Sequence, residues 1–450
     1  MTAPASFDWS HAVATDQSFE NALAKARAGD RLDVDDATEL LAAGTDREGL
    51  DPARTEQVLE AADARRREVV GDEVTFVANV NNNVTTACNT GCLFCNFKDA
   101  AATFEGESPD VGYTRTPAES RSVVRDAVAR GVYEVCSVSG LHPALVLDED
   151  HHEALAGRAG VNYRPPEVYG TDPGTYLEQL RAMAVDGVHV HSMTPEEAAH
   201  ARRGVDRSYR ETYERLREAG LDSAPGTAAE ILVDEVREEI CPGKIDSGEW
   251  VAAMEGAAAA GLDLTATIMY GHVENVRHRA LHLDVVRDLQ DRTGAIREFV
   301  PLSFVHPNTP LYERGLVDGG ASDAEDALMI AVSRLFLDNV DHLQSSWVKF
   351  GDEKALKLLS CGADDLMGTI LSEEITTRAG GTHGEFRSFE DYARMIRAVG
   401  REPVERSTDY RTRRTLPEEG PYGPRLGPRA DGTPILSRRA AAAGRRLIRP

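Results

Sequence analysis

Lysine is nearly missing from this chain: of 50 basic residues only Lys25, Lys98, Lys244, Lys349, Lys354 and Lys357 are lysine, leaving 44 arginines. Long hydrophobic runs are missing too. No stretch of about 18 apolar residues occurs, which excludes a helical membrane span. The opening residues, MTAPASFDWSHAVATDQ, show no basic segment followed by an apolar one, so a cytoplasmic protein is expected. Cysteine is sparse, six in 450 residues, and the spacing does not suit a secreted disulfide framework. Positive charge is in deficit: 75 acidic residues against 50 basic give a net charge of -25. That excess argues against general nucleic-acid binding.

What is present completes the picture. An apolar fraction of 41% suffices for a large core, so the acidity reads as the surface of a folded protein, halophile-like, and not as disorder. Concentrated salt screens the self-repulsion of such a surface, and carboxylates keep it hydrated. A GC-rich genome would also favour arginine over lysine.

Residues 1–70 show helical apolar spacing over Phe19–Ala28, Asp36–Ala43 and Thr55–Arg67, and predict an N-terminal helical extension. From about residue 72 short apolar runs alternate with amphipathic segments. Strands are expected to begin near Val74, Tyr133, Val188, Asp222, Leu264, Glu298 and Leu343. Such alternation predicts parallel βα units, and seven of them predict an α/β fold: a full or partial (β/α) TIM-type barrel over 71–400, with a doubly wound sheet as the alternative. The polar stretch 148–173 reads as an inserted loop. Residues 401–450, with 12 arginines, six acids and seven prolines, read as a loosely ordered basic tail.

The chemistry concentrates in ACNTGCLFCNF, where the spacing is Cys88-x3-Cys92-x2-Cys95. Three close thiolates can hold three irons of a four-iron cube and leave the fourth open to a small molecule. A zinc site would need a fourth ligand from Cys136, Cys241, Cys361 or a histidine. Three unrelated buried cysteines is the remaining alternative. Gly91 permits a tight wrap of the chain. The segment follows the first predicted strand, at the barrel end where such enzymes do chemistry.

Other polar residues sit where strands should end. VCSVSGLHP offers His142 and Gly140, with Cys136 inside the strand. VHVHSMT puts His189 and His191 on one face of a strand. Inward-facing, the two histidines are either site residues or a satisfied polar layer. Glu230 follows GTAA; Tyr270, His272 and Glu274 follow TATIM; Ser303 and His306 lie in PLSFVHPNTP; Asp364 and Asp365 lie near a last strand. Each is an active-site candidate or a loop or cap residue.

Taken together, CNTGCLFCNF, EVCSVSGLHP, GLDSAPGTAAEIL, VREEICPGKI, TATIMYGHVE and FVPLSFVHPNTPL resemble the radical S-adenosylmethionine (SAM) superfamily. Within it, residues from about 72 to about 400 resemble the tyrosine-using subunit of FO synthase, of deazaflavin (coenzyme F-420) biosynthesis. The resemblance implies a [4Fe-4S] cluster on Cys88, Cys92 and Cys95, with SAM on the open iron. It implies that Phe94 flanks adenine and that Ser139 and Gly140 meet the SAM amino group, although Ser139 stands where the family usually has glycine. It implies a deoxyadenosyl radical that oxidises L-tyrosine. The Cα–Cβ bond breaks, and a 4-hydroxybenzyl group adds to 5-amino-6-(D-ribitylamino)uracil, leaving 2-iminoacetate. An external electron donor and a ring-closing FO synthase subunit are the further partners implied. A menaquinone-pathway radical SAM enzyme, aminofutalosine synthase or futalosine cyclase, is one alternative. The ring-closing subunit itself and a non-catalytic iron–sulfur carrier are others.

Overall fold

A computed structural model describes residues 16–43, 52–88, 90–98, 113–370 and 375–423, except the single positions 159, 162, 170, 186 and 385. Three helices, Asp16–Ala28, Val34–Ala42 and Pro52–Val70, come first in the chain. Asp33 caps the second: its carboxylate accepts from Asp36 N at 2.9 Å while Asp36 accepts from Asp33 N at 3.0 Å. The second packs on helices Val276–Thr293 and Asp323–Phe336, the third on Asp323–Phe336, and the first on the other two, with Leu23, Leu40 and Val58 buried in one continuous core.

The first strand has two parts, β1 (Glu73–Val77) and β2 (Asn79–Asn81), separated by Ala78. Then follow β3 (Glu134–Ser137), β4 (His189–Ser192), β5 (Ser223–Ala224), β6 (Asp263–Tyr270), β7 (Ile296–Ser303), β8 (His342–Leu343) and β9 (Asp365–Gly368). β2 to β8 make a seven-stranded parallel arc in sequence order, a curled half-barrel with helices outside. β9 spans the gap between its ends. It pairs in parallel with β1, and Ser345 N donates to Asp365 O at 2.8 Å while Asp364 N donates to Leu343 O at 3.0 Å. All seven predicted strands are present. The helices between them start on the signals the sequence carries: Thr116, Thr175, Thr194, Ser208, Asn275, Ser322 and Ser388 each close a capping box.

Two expectations need correction. The stretch 148–173 is not loop throughout. Asp148 accepts from His151 N at 3.2 Å and starts helix Glu149–Leu155, and a 3-10 turn spans Pro166–Tyr169. The expected tail is not loose at its start. β10 (Glu402–Arg406) adds in parallel to β1, and β11 (Arg413–Thr415) returns antiparallel to β10. Val404, Glu405, Arg406 and Ser407 are buried. Local basic composition hid this segment, because its arginines are satisfied by acids distant in sequence. Residues 424–450 lie outside the described set. Among the described residues no helix is long and apolar enough to cross a membrane.

Candidate active site

The cysteine loop leaves the C-terminal end of the first strand and is clamped by two neighbours. Gly140, in the loop after β3, approaches so closely that a Cβ there would lie 2.5 Å from Ala87 O, and its N–H donates to Thr85 O at 2.8 Å. Gly243 would likewise put a Cβ 2.3 Å from Thr90 O. Leu93 N donates to Ile240 O at 2.8 Å. Only glycine at 140 and 243 lets these segments close on the loop.

Cys88, Cys92 and Cys95 line one cavity of about 230 Å³ at the barrel mouth, with Phe94, Ser139, Gly140, Glu230, Lys244 and Ser303. Burial pushes the Cys92 and Cys95 thiols up. Around Cys95 the backbone N–H groups of Phe97 and Lys98 oppose that rise. Lys98 Nζ donates to Cys92 O at 2.5 Å. Cys241 is buried beside Cys92 but does not line the cavity.

A second group of charges faces the thiols. Lys244 Nζ lies 2.6 Å from Glu230 Oε1 and 5.4 Å from the centre of the Phe94 ring. Burial disfavours its charge, but Glu230, Cys92 and Glu196 outweigh burial and hold it protonated. Glu230 sits at φ +46 in the turn before helix Asp234–Ile240, a region unusual for a non-glycine residue, and its carbonyl accepts from Met269 N at 2.7 Å. Glu197 caps helix Pro195–Arg202 by accepting from Thr194, and its other oxygen accepts from Ser139 N at 3.3 Å. Burial raises its pKa to about 7.

The candidates divide sharply. Phe94, Ser139, Gly140 and Glu230 surround the thiols. His191 faces a second cavity, the barrel lumen, and its Nδ1 is 2.7 Å from Ser223 Oγ. His142, Tyr270, His272 and His306 line neither cavity. His142 is buried behind the Gly140 loop, where Nδ1 accepts from Ala144 N at 3.0 Å, and burial lowers its pKa to about 4. Tyr270 points outward and donates to Asp326 Oδ1 at 2.6 Å. His272 ties the turn after β6: Nε2 lies 3.1 Å from Met269 O and Nδ1 3.0 Å from Glu274 Oε2. His306 packs 4.8 Å from the Tyr312 ring. Asp364 and Asp365 begin β9 at the opposite end of the barrel, where Asp364 pairs with Arg334 and His342, each at 2.7 Å. Lys244, Glu196, Glu197 and Lys98 were not singled out in the sequence. PEEAA and CPGK carry only helix-start and turn signals, so the fold alone brings these charges to the thiols.

The donor set fits an iron–sulfur cluster with SAM. Among the described residues no three His, Cys, Asp or Glu side chains converge on one point, as a mononuclear ion requires. The three thiols are distributed instead around one cavity, beside an aromatic ring and a mixed-charge wall.

Residues 82–286 match the radical SAM superfamily, and residues 293–419 match the CofH/MqnC C-terminal region. The chain is 69% identical to the 5-amino-6-(D-ribitylamino)uracil–L-tyrosine 4-hydroxyphenyl transferase of Haloarcula marismortui, over 97% of this chain and 98% of the relative. The protein of the same name from Halobacterium salinarum is 67% identical, over 98% of each chain. This chain belongs to that transferase family of radical SAM enzymes. The solved structure of methylornithine synthase shares its fold, with a TM-score of 0.59 at 17% identity over 85% of this chain and 97% of that one. In this radical SAM family the second matched region reaches residue 419, which takes in β10 and β11.

Proposed function

We propose that this chain cleaves L-tyrosine and transfers its 4-hydroxybenzyl group to 5-amino-6-(D-ribitylamino)uracil. The products are 5-amino-5-(4-hydroxybenzyl)-6-(D-ribitylimino)-5,6-dihydrouracil and 2-iminoacetate. The observation that carries this reading is the thiol cavity opening beside a polar barrel lumen, in a chain 69% identical to a protein named for this reaction. Cys88, Cys92 and Cys95 would hold the [4Fe-4S] cluster, with Phe94, Ser139 and Gly140 around SAM. When bound, that pair supplies a one-electron cleavage of a C–S bond and hence a hydrogen-abstracting radical. An external donor supplies the electron, and a ring-closing subunit takes the product.

The protein's own task is to bind, orient and exclude water. Phe94, Phe97, Leu141, Met269, Phe304 and Val305 keep the thiol cavity apolar and suit a phenol ring. Lys244 keeps its proton against Glu230 and so offers a fixed positive charge beside the carboxylates. His191 is held neutral near pH 7, because burial lowers its pKa to about 4. With Nδ1 tied to Ser223, its Nε2 is the ring nitrogen left to hydrogen-bond a substrate group.

The test is anaerobic reconstitution, then incubation with tyrosine, the ribitylaminouracil, SAM and a reductant. Mass spectrometry should find the hydroxybenzyl adduct and 2-iminoacetate or its hydrolysis product glyoxylate. SAM cleavage without the adduct would contradict the reading.

A further inference from the structure

The lumen of a (β/α) barrel is normally filled by layers of branched side chains. This one holds a cavity of about 200 Å³ instead. It shares Val138, Thr227, Leu302, Lys349 and Ile375 with the thiol cavity, so the two spaces adjoin. Inward residues alternate along each strand, and register sorts them into layers. The layer at the strands' N-terminal end holds Asn79 opposite Glu134, and Thr265 opposite Glu298. The middle layer holds Asn81, Cys136 and His191, with Thr267 opposite Val300. At the mouth stand Val138 and Leu302. The strand residues therefore run from charged at the floor to apolar at the mouth, and Lys349 and Thr227 stand at the neck between the two spaces.

The floor is not closed by the barrel strands alone. β10 delivers Arg406 and, just beyond it, Thr408, both of which line the lumen. Arg406 donates to Asp365 at 2.7 Å and to Glu298 at 3.1 Å. Tyr410 donates to Glu298 and stacks on His342 with ring centres 3.8 Å apart. Glu134 accepts from Asn79 Nδ2 at 3.3 Å and from Thr408 Oγ1. A carboxylate offers about four acceptor sites, so Glu134 can take further donors from a ligand.

We infer that this floor, and Glu134 with Thr408 in particular, binds the ribityl chain of the uracil substrate, which makes the C-terminal segment part of the specificity site. The inference rests on the reaction proposed above. A polyol presents hydroxyls that both donate and accept, and it meets carboxylate, hydroxyl and guanidinium groups on equal terms. A phenol ring placed there would cover those groups without satisfying them. The orientation also suits the chemistry: with the chain at the floor, the pyrimidine ring lies toward the neck shared with the thiol cavity, where the benzyl group arrives.

The test measures binding, not turnover. Full-length protein carrying its cluster and SAM is dialysed anaerobically against 5-amino-6-(D-ribitylamino)uracil and against 5-amino-6-(methylamino)uracil, which lacks the polyol. Wild type, E134Q, T408V and T408S are compared, with thermal melts to confirm folding. E134Q and T408V should each weaken the ribityl compound about tenfold and leave the methylamino compound unchanged. T408S should restore affinity. Equal losses for both ligands, or none for either, would overturn the inference while leaving the proposed reaction standing. Wild-type protein that fails to bind the ribityl compound would overturn both.

Discussion

At the scale of single residues, six cysteines separate into three roles. Cys88, Cys92 and Cys95 share one cavity, Cys136 lines the lumen, and Cys241 and Cys361 are buried and line neither. Replacing any one of the first three by serine should sharply reduce bound iron, whereas C136S, C241S and C361S should retain it. Iron analysis after anaerobic reconstitution checks this, and iron loss in C241S would point to a fully protein-ligated centre. Glu274 gives a second prediction. Burial would raise its pKa, but His272, Arg279 and the N–H groups of Gly271 and His272 hold it at about 2 against an ordinary 4.5. Its folded value is the lower one, so the stabilisation is fully present above about pH 4.5 and is lost as pH falls toward 2. E274Q should therefore cost about 3 kcal/mol at pH 7. In denaturant titrations that gap should narrow below pH 4.5; a gap independent of pH would contradict it. Residue identity alone located the thiols, Phe94, Gly140 and Glu230. It could not separate His191, in the lumen, from His142, Tyr270, His272 and His306. All are polar residues near strand ends, and most of them satisfy turns and helices there.

At the scale of elements, helix starts carry a local signal, because capping is local: Thr116, Thr175, Thr194 and Ser322 each meet an acid three residues on. Parallel strands were legible as apolar runs between those helices. β10 was not, because what holds it is remote in sequence. Arg406 is 3% exposed and answers Glu298 and Asp365, and Tyr133 donates to Arg406 O at 2.7 Å. Removing the cation strands two buried carboxylates, so R406M should cost about 3 kcal/mol or more. Urea unfolding measures this. An unchanged midpoint would mean that the floor network contributes little to holding the barrel closed.

At the scale of the whole molecule, the net charge of -25 is spread over a chain whose acids outnumber its bases by half. Many buried charges are paired internally, as Arg334 with Asp364 and Arg279 with Glu274 are. The unbalanced negative charge therefore falls on the surface, where salt screens it. The thermal midpoint should rise as KCl goes from about 0.1 M to about 2 M, with the Debye length falling from about 10 Å to below 3 Å. A midpoint that falls with salt would show that attractive pairs dominate the surface. The same fold sets its thiol cavity against a lumen that remains open, and all the chemistry proposed here depends on an iron that no protein side chain occupies. The most direct test is electron paramagnetic resonance of the reduced, anaerobically reconstituted protein before and after SAM is added. The account predicts a four-iron signal that shifts when SAM binds. A signal unmoved by SAM, or a tetrahedral zinc in place of the cluster, would contradict it.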